Sequence, residues 1–292
     1  MAGSLQNRID CIYGTLSKGH KRLADYLKSD YEKAAFMTAA VLGKTVGVSE
    51  STVVRFATNL GFEGYPQLQK YLQELVKNHL TSIQRMEVSA SHIKGEDILD
   101  SALLADIEMI KATREQVSRD VFVKSIDALN KASRIYVLGV RSSATLASFL
   151  AFYLNHIYEN VVLIDTSSKS ELFEQLYRIG SNDVCVAISF PRYSNQTINA
   201  CRFASERGAT VISITDGEQS PLAKFTTYLL VARSNMVSFV DSLVAPLSLI
   251  NALIAAAAHE KSAEVYNNLQ TLEEIWNTYR VYNSMEVDAD AD

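Results

Sequence analysis

Glycine and proline are scarce in this chain, at 12 and 4 among 292 residues. Long linkers, collagen-like repeats and low-complexity disorder need far more of both. Cysteine is scarcer still, with Cys11, Cys185 and Cys201 standing far apart. The absence of a CxxC pair or a Cys/His cluster argues against a zinc finger and a disulfide scaffold, so neither a metal nor another cofactor is expected. An odd number of scattered thiols fits a reducing compartment, and the expected location is the cytoplasm. The first apolar stretch is broken by Arg8 and Asp10 and has no small-residue cleavage site, unlike a secretory leader. One segment, Ser242 to Ala258, is long and uncharged, but it contains Pro246, Ser248 and Asn251. It is short for a bilayer span and reads as a helix buried inside a soluble domain, so no membrane partner is expected.

What is present divides into two halves of different charge. Residues 1–85 hold 11 Lys/Arg against 7 Asp/Glu, whereas the remainder holds 17 against 26. A basic segment joined to an acidic body is compatible with a polyanion-binding module, and equally with an ordinary solvated basic face. The first 80 residues carry apolar residues at three- and four-residue spacing over Leu16–Leu27, Thr38–Thr45, Ser49–Leu60 and Tyr65–Leu80. Two further amphipathic helices are predicted between 97 and 131, the first with a stripe of Leu99, Leu103, Ile107, Ile110 and Val117. Short β-branched runs then follow at 134–140, 161–164, 183–190, 209–215 and 227–232, the first four separated by helical patterns. Strands buried on both faces and alternating with helices predict a parallel sheet of βαβ units. The expected organisation is a helical domain over 1–80, a connecting segment over 81–119, an α/β domain over 120–282 and a disordered acidic tail over 283–292.

Within the helical domain, TAAVLGKTVGVSESTVVRFATNL at 38–60 gives two helices around a tight turn at Val46–Gly47–Val48. Gly47 supplies a permissive backbone, Gly43 allows close helix approach, Ser49 is a good N-cap and Gly61 a good stop. At about 100° per residue the second helix puts Val53, Phe56, Ala57 and Leu60 on one face. Ser51, Thr52, Arg55, Thr58 and Asn59 occupy the opposite face, which is polar and free of carboxylates. Such a face suits phosphates and base edges. Two roles are open to Arg55: contact with DNA, or pairing with an acidic neighbour inside the domain.

Two strand ends in the second half are rich in hydroxyls. Gly139-Val140-Arg141-Ser142-Ser143 follows the first strand, and Ser189 through Thr197 follows the third, each opening a helix. Free N–H groups at a helix start with hydroxyls beside them can form an anion site, and Ser/Thr residues there can equally be ordinary caps. Glu171, after the second strand, is the one candidate for a general base. His156 and His259 lie in apolar helical patterns and read as packing residues.

The N-terminal motif resembles a helix-turn-helix, and more narrowly the N-terminal domain of the RpiR family of bacterial regulators. The resemblance rests on Thr38, Leu42, Gly43, Gly47, Val48, Ser49, TVVRF at 52–56 and LGFEGYPQL at 60–68. Residues 120–260 resemble a SIS (sugar isomerase) domain through RIYVLGVRSSA at 134–144, DVCVAISF at 183–190, Thr197, ERGATVISITD at 206–216 and SPLAKF at 220–225. Together they imply an α/β chain: an all-α helix-turn-helix domain followed by a doubly wound parallel-sheet domain. The implied recognition helix is Ser49–Leu60, with Lys44, Thr45, Ser49, Ser51, Thr52, Arg55 and Asn59 as contacts to a double-stranded operator. The implied effector residues are Ser142, Ser143, Ser189, Ser194 and Thr197, to which Arg192, in the loop after the third strand, and Glu171, after the second, are added.

Two departures from the family pattern bear on the ligand. Arg141 replaces the second Gly of Gly-x-Gly-Ser-Ser, and Pro191 and Arg192 replace the Ser and Gly of Ser-x-Ser-Gly. A guanidinium at either place would grip a phosphate or carboxylate, or point toward a partner subunit. A ligand more acidic than a simple hexose phosphate is expected. The function implied is a transcriptional regulator whose operator affinity follows a phosphosugar-type effector, rather than an enzyme. The alternatives are a phosphosugar isomerase and a ligandless dimerisation scaffold. A homodimer or higher homo-oligomer is expected, because two linked half-site readers raise affinity. Val265, Leu269, Leu272, Trp276 and Tyr279 form a seam for helix pairing or for packing onto their own domain.

Overall fold

The computed structural model describes residues 5–76, 83, 85–86, 97–166, 168–234 and 240–282. The acidic tail and nearly all of the polar stretch 82–96 lie outside the described residues. The chain divides into two compact units, residues 1–94 and 95–292.

The first unit is helical: α1 (Leu5–Ile12), α2 (Lys18–Ala34), α3 (Ala39–Val46), α4 (Glu50–Asn59) and α5 (Tyr65–Val76). The sequence pattern missed α1, which is short and buries only Leu5 and Ile9. It also ended α2 too early, at Leu27. Hydroxyl caps start three of the helices: Ser17 Oγ accepts from His20 N, Thr38 Oγ1 from Val41 N and Ser49 Oγ from Thr52 N. Each satisfies an N–H that has no partner within its helix. Gly47 closes α3 at φ +73°, the left-handed conformation that a glycine adopts without strain. The α4 core face forms as its spacing predicts, with Val53, Phe56, Ala57 and Leu60 all buried.

The second unit contains α6 (Ile98–Gln116), α7 (Arg119–Lys131), β1 (Ile135–Gly139), α8 (Ser142–Leu154), β2 (Val161–Ile164) and α9 (Lys169–Leu176). It continues with β3 (Val184–Ile188), α10 (Asn195–Glu206), β4 (Thr210–Thr215), β5 (Tyr228–Val231), α11 (Val244–Glu260) and α12 (Ser262–Thr278). All strand pairs are parallel, in the order β2-β1-β3-β4-β5. Alternate residues of β1 face opposite sides. Val137 packs with α8 and α11, while Tyr136 and Leu138 pack with α9 and α10. Both faces are therefore covered, as a parallel sheet requires. The uncharged run after 242 becomes α11, with Ala245, Leu249, Ile250, Leu253 and Ala257 buried. Among the described residues no helix is long and apolar enough to cross a membrane.

The structure decides three points that the spacing did not settle. The stripe Leu99, Leu103, Ile107 and Ile110 on α6 is solvent-exposed, Leu99 by 71%. Helix α6 lies against α11, and Thr113 Oγ1 accepts from Arg233 N at 2.8 Å, so the stripe points away from its own sheet. In the C-terminal seam only Val265 reaches the core of its own domain, while Leu269 and Tyr279 are exposed. His259 is exposed in the last turn of α11 rather than packed, where a cation would complement the helix dipole. His156 lies just past α8, half-buried, with Nδ1 2.9 Å from Phe152 O.

Candidate nucleic-acid interface and ligand cleft

In the first unit, α3, the Gly47 turn and α4 form a helix-turn-helix whose polar face is partly tied down internally. Ser49 Oγ lies 2.9 Å from Ser51 Oγ and 2.8 Å from Thr52 Oγ1. Thr45 Oγ1 donates to Val41 O at 2.9 Å, and Asn59 Nδ2 lies 3.3 Å from His20 Nδ1. Arg55 Nε donates to Ser51 O at 3.2 Å, and no carboxylate pairs with Arg55 among the described residues. The Arg55 guanidinium and the exposed Lys44 ammonium keep most of their donors available.

In the second unit, the strand order decides where a ligand fits. The chain runs from β1 outward to β2 on one side, then crosses to β3 on the other, so β1 and β3 flank the topological switch point. Crevices at the carboxyl ends of such strands are the usual ligand sites of open parallel sheets. Gly139 and Ile188 are register partners, so the loops leaving β1 and β3 begin side by side. One carries Ser142 and Ser143, the other Ser189, Arg192, Ser194 and Thr197. Glu171 follows β2, the strand on the other side of β1.

The β1 loop is tightly folded over its own strand. A Cβ on Gly139 would collide with Ser143 O, so no other residue fits there without moving α8. Arg141 takes φ 61°, ψ −125° in the N-cap position and makes no side-chain cap bond. These angles match the first central position of a type II′ turn, which glycine normally fills. The first-turn N–H groups of α8 therefore lack a side-chain cap, Ser142 is exposed and Ser143 is buried.

The β3 loop separates two roles that spacing alone had merged. Ser194 Oγ accepts from Gln196 N at 3.2 Å and is an ordinary N-cap. Thr197 is not a cap. It is fully buried, and its Oγ1 has no hydrogen-bond partner. Ser189 is also buried and extends the ladder, with its N–H donating to Ile214 O at 3.1 Å. Arg192 is exposed. Glu171 is the third residue of α9: Ser168 Oγ accepts from its N–H, and its carboxylate accepts from Thr166 Oγ1, two residues before the cap.

Sequence reasoning overlooked Tyr193, whose hydroxyl donates to Asp216 Oδ1 at 2.6 Å. Burial, and then the neighbouring Asp216 carboxylate, raise the Tyr193 phenol well above its ordinary value. This bond ties the β3 loop to the end of β4. The two residues are 23 apart in sequence, so no local pattern signals it.

Comparison with known proteins matches both halves. The model of a helix-turn-helix domain of the rpiR family matches residues 3–79, and that of a SIS domain matches residues 128–256. An uncharacterised HTH-type transcriptional regulator of Clostridium perfringens is 26% identical over 270 residues, covering 89% of this chain and 95% of the relative. A similar protein of Haemophilus influenzae is 26% identical, covering 79% and 80%. Among solved structures, the Vibrio vulnificus NanR protein complexed with ManNAc-6P aligns with a TM-score of 0.58 at 22% identity, covering 94% of this chain and 99% of that one. The sugar isomerase domain of an RpiR transcription factor from Sphaerobacter thermophilus aligns with a TM-score of 0.58 at 25% identity, covering 61% and 99%. With both domain models matched in the order in which the motifs occur, the chain belongs to the RpiR family of helix-turn-helix transcriptional regulators that carry a C-terminal SIS domain.

Proposed function

We propose that this regulator binds a double-stranded operator through α4 and that a phosphosugar-class anion, held where β1 and β3 end, changes its operator affinity. The observation that carries the reading is the strand order, which sets the two hydroxyl-rich loops side by side at the switch point. The uncapped first turn of α8 and the unpartnered, buried Thr197 Oγ1 support it, because each is a polar group that a ligand oxygen would satisfy. The fold shared with NanR, which was captured with ManNAc-6P, supports the same ligand class. Ser142, Ser143, Ser189 and Thr197 are assigned to the ligand, with Arg192 at the rim and Ser194 holding α10 in place. Glu171 is read as a rim residue. A carboxylate already held by the Thr166 hydroxyl is poorly placed to take a proton, so the pocket is read as a sensor and not an isomerase. The exposed α6 and α12 faces make a homodimer or higher homo-oligomer the expected form. A DNA-binding regulator of this kind works in the cytoplasm.

The test measures affinity for a duplex selected from a random pool by the full-length protein, with and without ManNAc-6P and a panel of hexose and hexosamine phosphates. Ser143→Ala and Ser189→Ala should keep operator binding and lose the response, since one charge-assisted hydrogen bond is worth about 1.5–3 kcal/mol, or roughly 10- to 150-fold. Linkage requires any responsive ligand to bind free and DNA-bound protein with different affinities. Responses from both variants at wild-type ligand concentrations would move the pocket elsewhere.

A further inference from the structure

The cations of the first unit fall into two groups. Some are satisfied within the domain. Arg8 stacks over Phe62 at 4.9 Å and Tyr71 at 5.6 Å, Lys28 pairs with Asp10 at 2.6 Å and Lys33 with Asp30 at 2.6 Å, and Lys21 lies 5.5 Å from the Tyr13 ring. Others have no carboxylate or ring partner among the described residues: Lys18 and Arg22 on α2, Lys44 on α3, Arg55 on α4 and Lys70 on α5.

Lys18 and Arg22 lie outside the helix-turn-helix in sequence, yet α2 carries them to it. A Cβ on Gly19 would sit 3.4 Å from Val48 Cγ1 and 3.6 Å from Thr52 Cγ2, so the first turn of α2 lies directly against the start of α4. The next residue, His20, packs its ring 5.5 Å from Phe56 and bonds Asn59 at 3.3 Å. Thr52, Phe56 and Asn59, at i, i+4 and i+7, run along the border between the core face and the polar face of α4, next to Ser51 and Arg55. Arg22 Nη1 lies 3.2 Å from the point where a side chain on Gly47 would begin, at the turn itself. Lys18 and Arg22 are four residues apart and share one helix face. Both are exposed. Asp25, one turn further along α2, is held by Tyr13 Oη at 2.7 Å.

We propose that Lys18 and Arg22 contact backbone phosphates of the bound duplex, so that α2 forms a second, sequence-independent strip of the DNA interface beside the recognition helix. The inference rests on the operator-binding reading above and adds residues outside the helix-turn-helix. Ser17 Oγ already occupies the His20 N–H, so the cationic side chains rather than the helix end supply the attraction. In this arrangement His20 is a positioning residue, fixing Asn59 and the angle between α2 and α4.

The experiment uses the full-length protein and a fluorescein-labelled duplex of random sequence, together with the selected operator, titrated by anisotropy over a range of salt. Lys18→Gln, Arg22→Gln and their combination are compared with Lys33→Gln, which alters an exposed cation already paired with Asp30. Removing one phosphate-neutralising charge should reduce the salt slope by about one, and at 0.1 M salt weaken binding roughly eightfold, to the operator and the random duplex alike. Unchanged melting curves would show that the fold is intact. Slopes and affinities matching those of Lys33→Gln would overturn the proposal while leaving operator binding by α4 standing. A weakening confined to the operator would also overturn it, by making these residues base readers. A wild-type protein that binds neither duplex would sink the DNA-binding reading and this inference with it.

Discussion

Arg141 sits in a backbone conformation suited to glycine, and its replacement should split stability from ligand binding. At φ 61°, ψ −125° the side chain crowds its own backbone, which costs about 1–3 kcal/mol for a non-glycine residue. Arg141→Gly removes that cost but adds about 0.5–1 kcal/mol of unfolded-chain entropy. The net expectation is a gain of about 1 kcal/mol, which for a unit of this size raises Tm by roughly 2–4 °C. If the guanidinium grips the ligand phosphate, the same substitution removes a charge-assisted bond and weakens binding about 10- to 150-fold. Arg141→Ala is the companion variant. It loses the guanidinium but keeps the strain, so it should bind ligand as poorly without melting higher. The assay is a thermal melt of each variant with and without ManNAc-6P and other hexosamine phosphates. Equal melting of the Gly and Ala variants would refute the strain argument. Wild-type ligand shifts in both would remove Arg141 from the pocket and turn it toward solvent or a partner subunit.

Gly139→Ala should do the opposite. Its Cβ would collide with the backbone of Ser143, so α8 must shift, the ligand response should vanish and the melting temperature should fall; an unperturbed melt would show the loop to be pliable. Tyr193→Phe removes the bond to Asp216 and frees the β3 loop, which should weaken ligand binding while leaving ligand-free operator affinity unchanged. A wild-type ligand titration in that variant would show that the loop holds its shape without the bond. Arg55→Ala should weaken operator binding by about 1–3 kcal/mol if it reads a base edge, and wild-type affinity at matched salt would strike it from the interface.

The sequence by itself determined most of the elements and their chemistry. Val53, Phe56, Ala57 and Leu60 recur at helical spacing, and β-branched runs alternate with helices. Ser49 and Ser194 stand immediately before helical patterns and cap them, and Gly47 takes the left-handed turn. Each of these is set by residues within one or two turns of one another, where spacing and backbone preference act directly. The tertiary structure decided what depends on distant partners. It placed β1 beside β3, and so brought Ser143 and Ser189 to adjacent strand ends. It distinguished Ser194, a cap, from Thr197, a buried hydroxyl without a partner. It turned Leu99 and Leu103 outward, where their spacing showed only that they share a face. It laid Gly19 and His20 against α4 and Arg22 at the Gly47 turn, both far from them in sequence. The reason is the same in every case: a helical period says which residues share a face, but only the packing of one element on another says what that face meets.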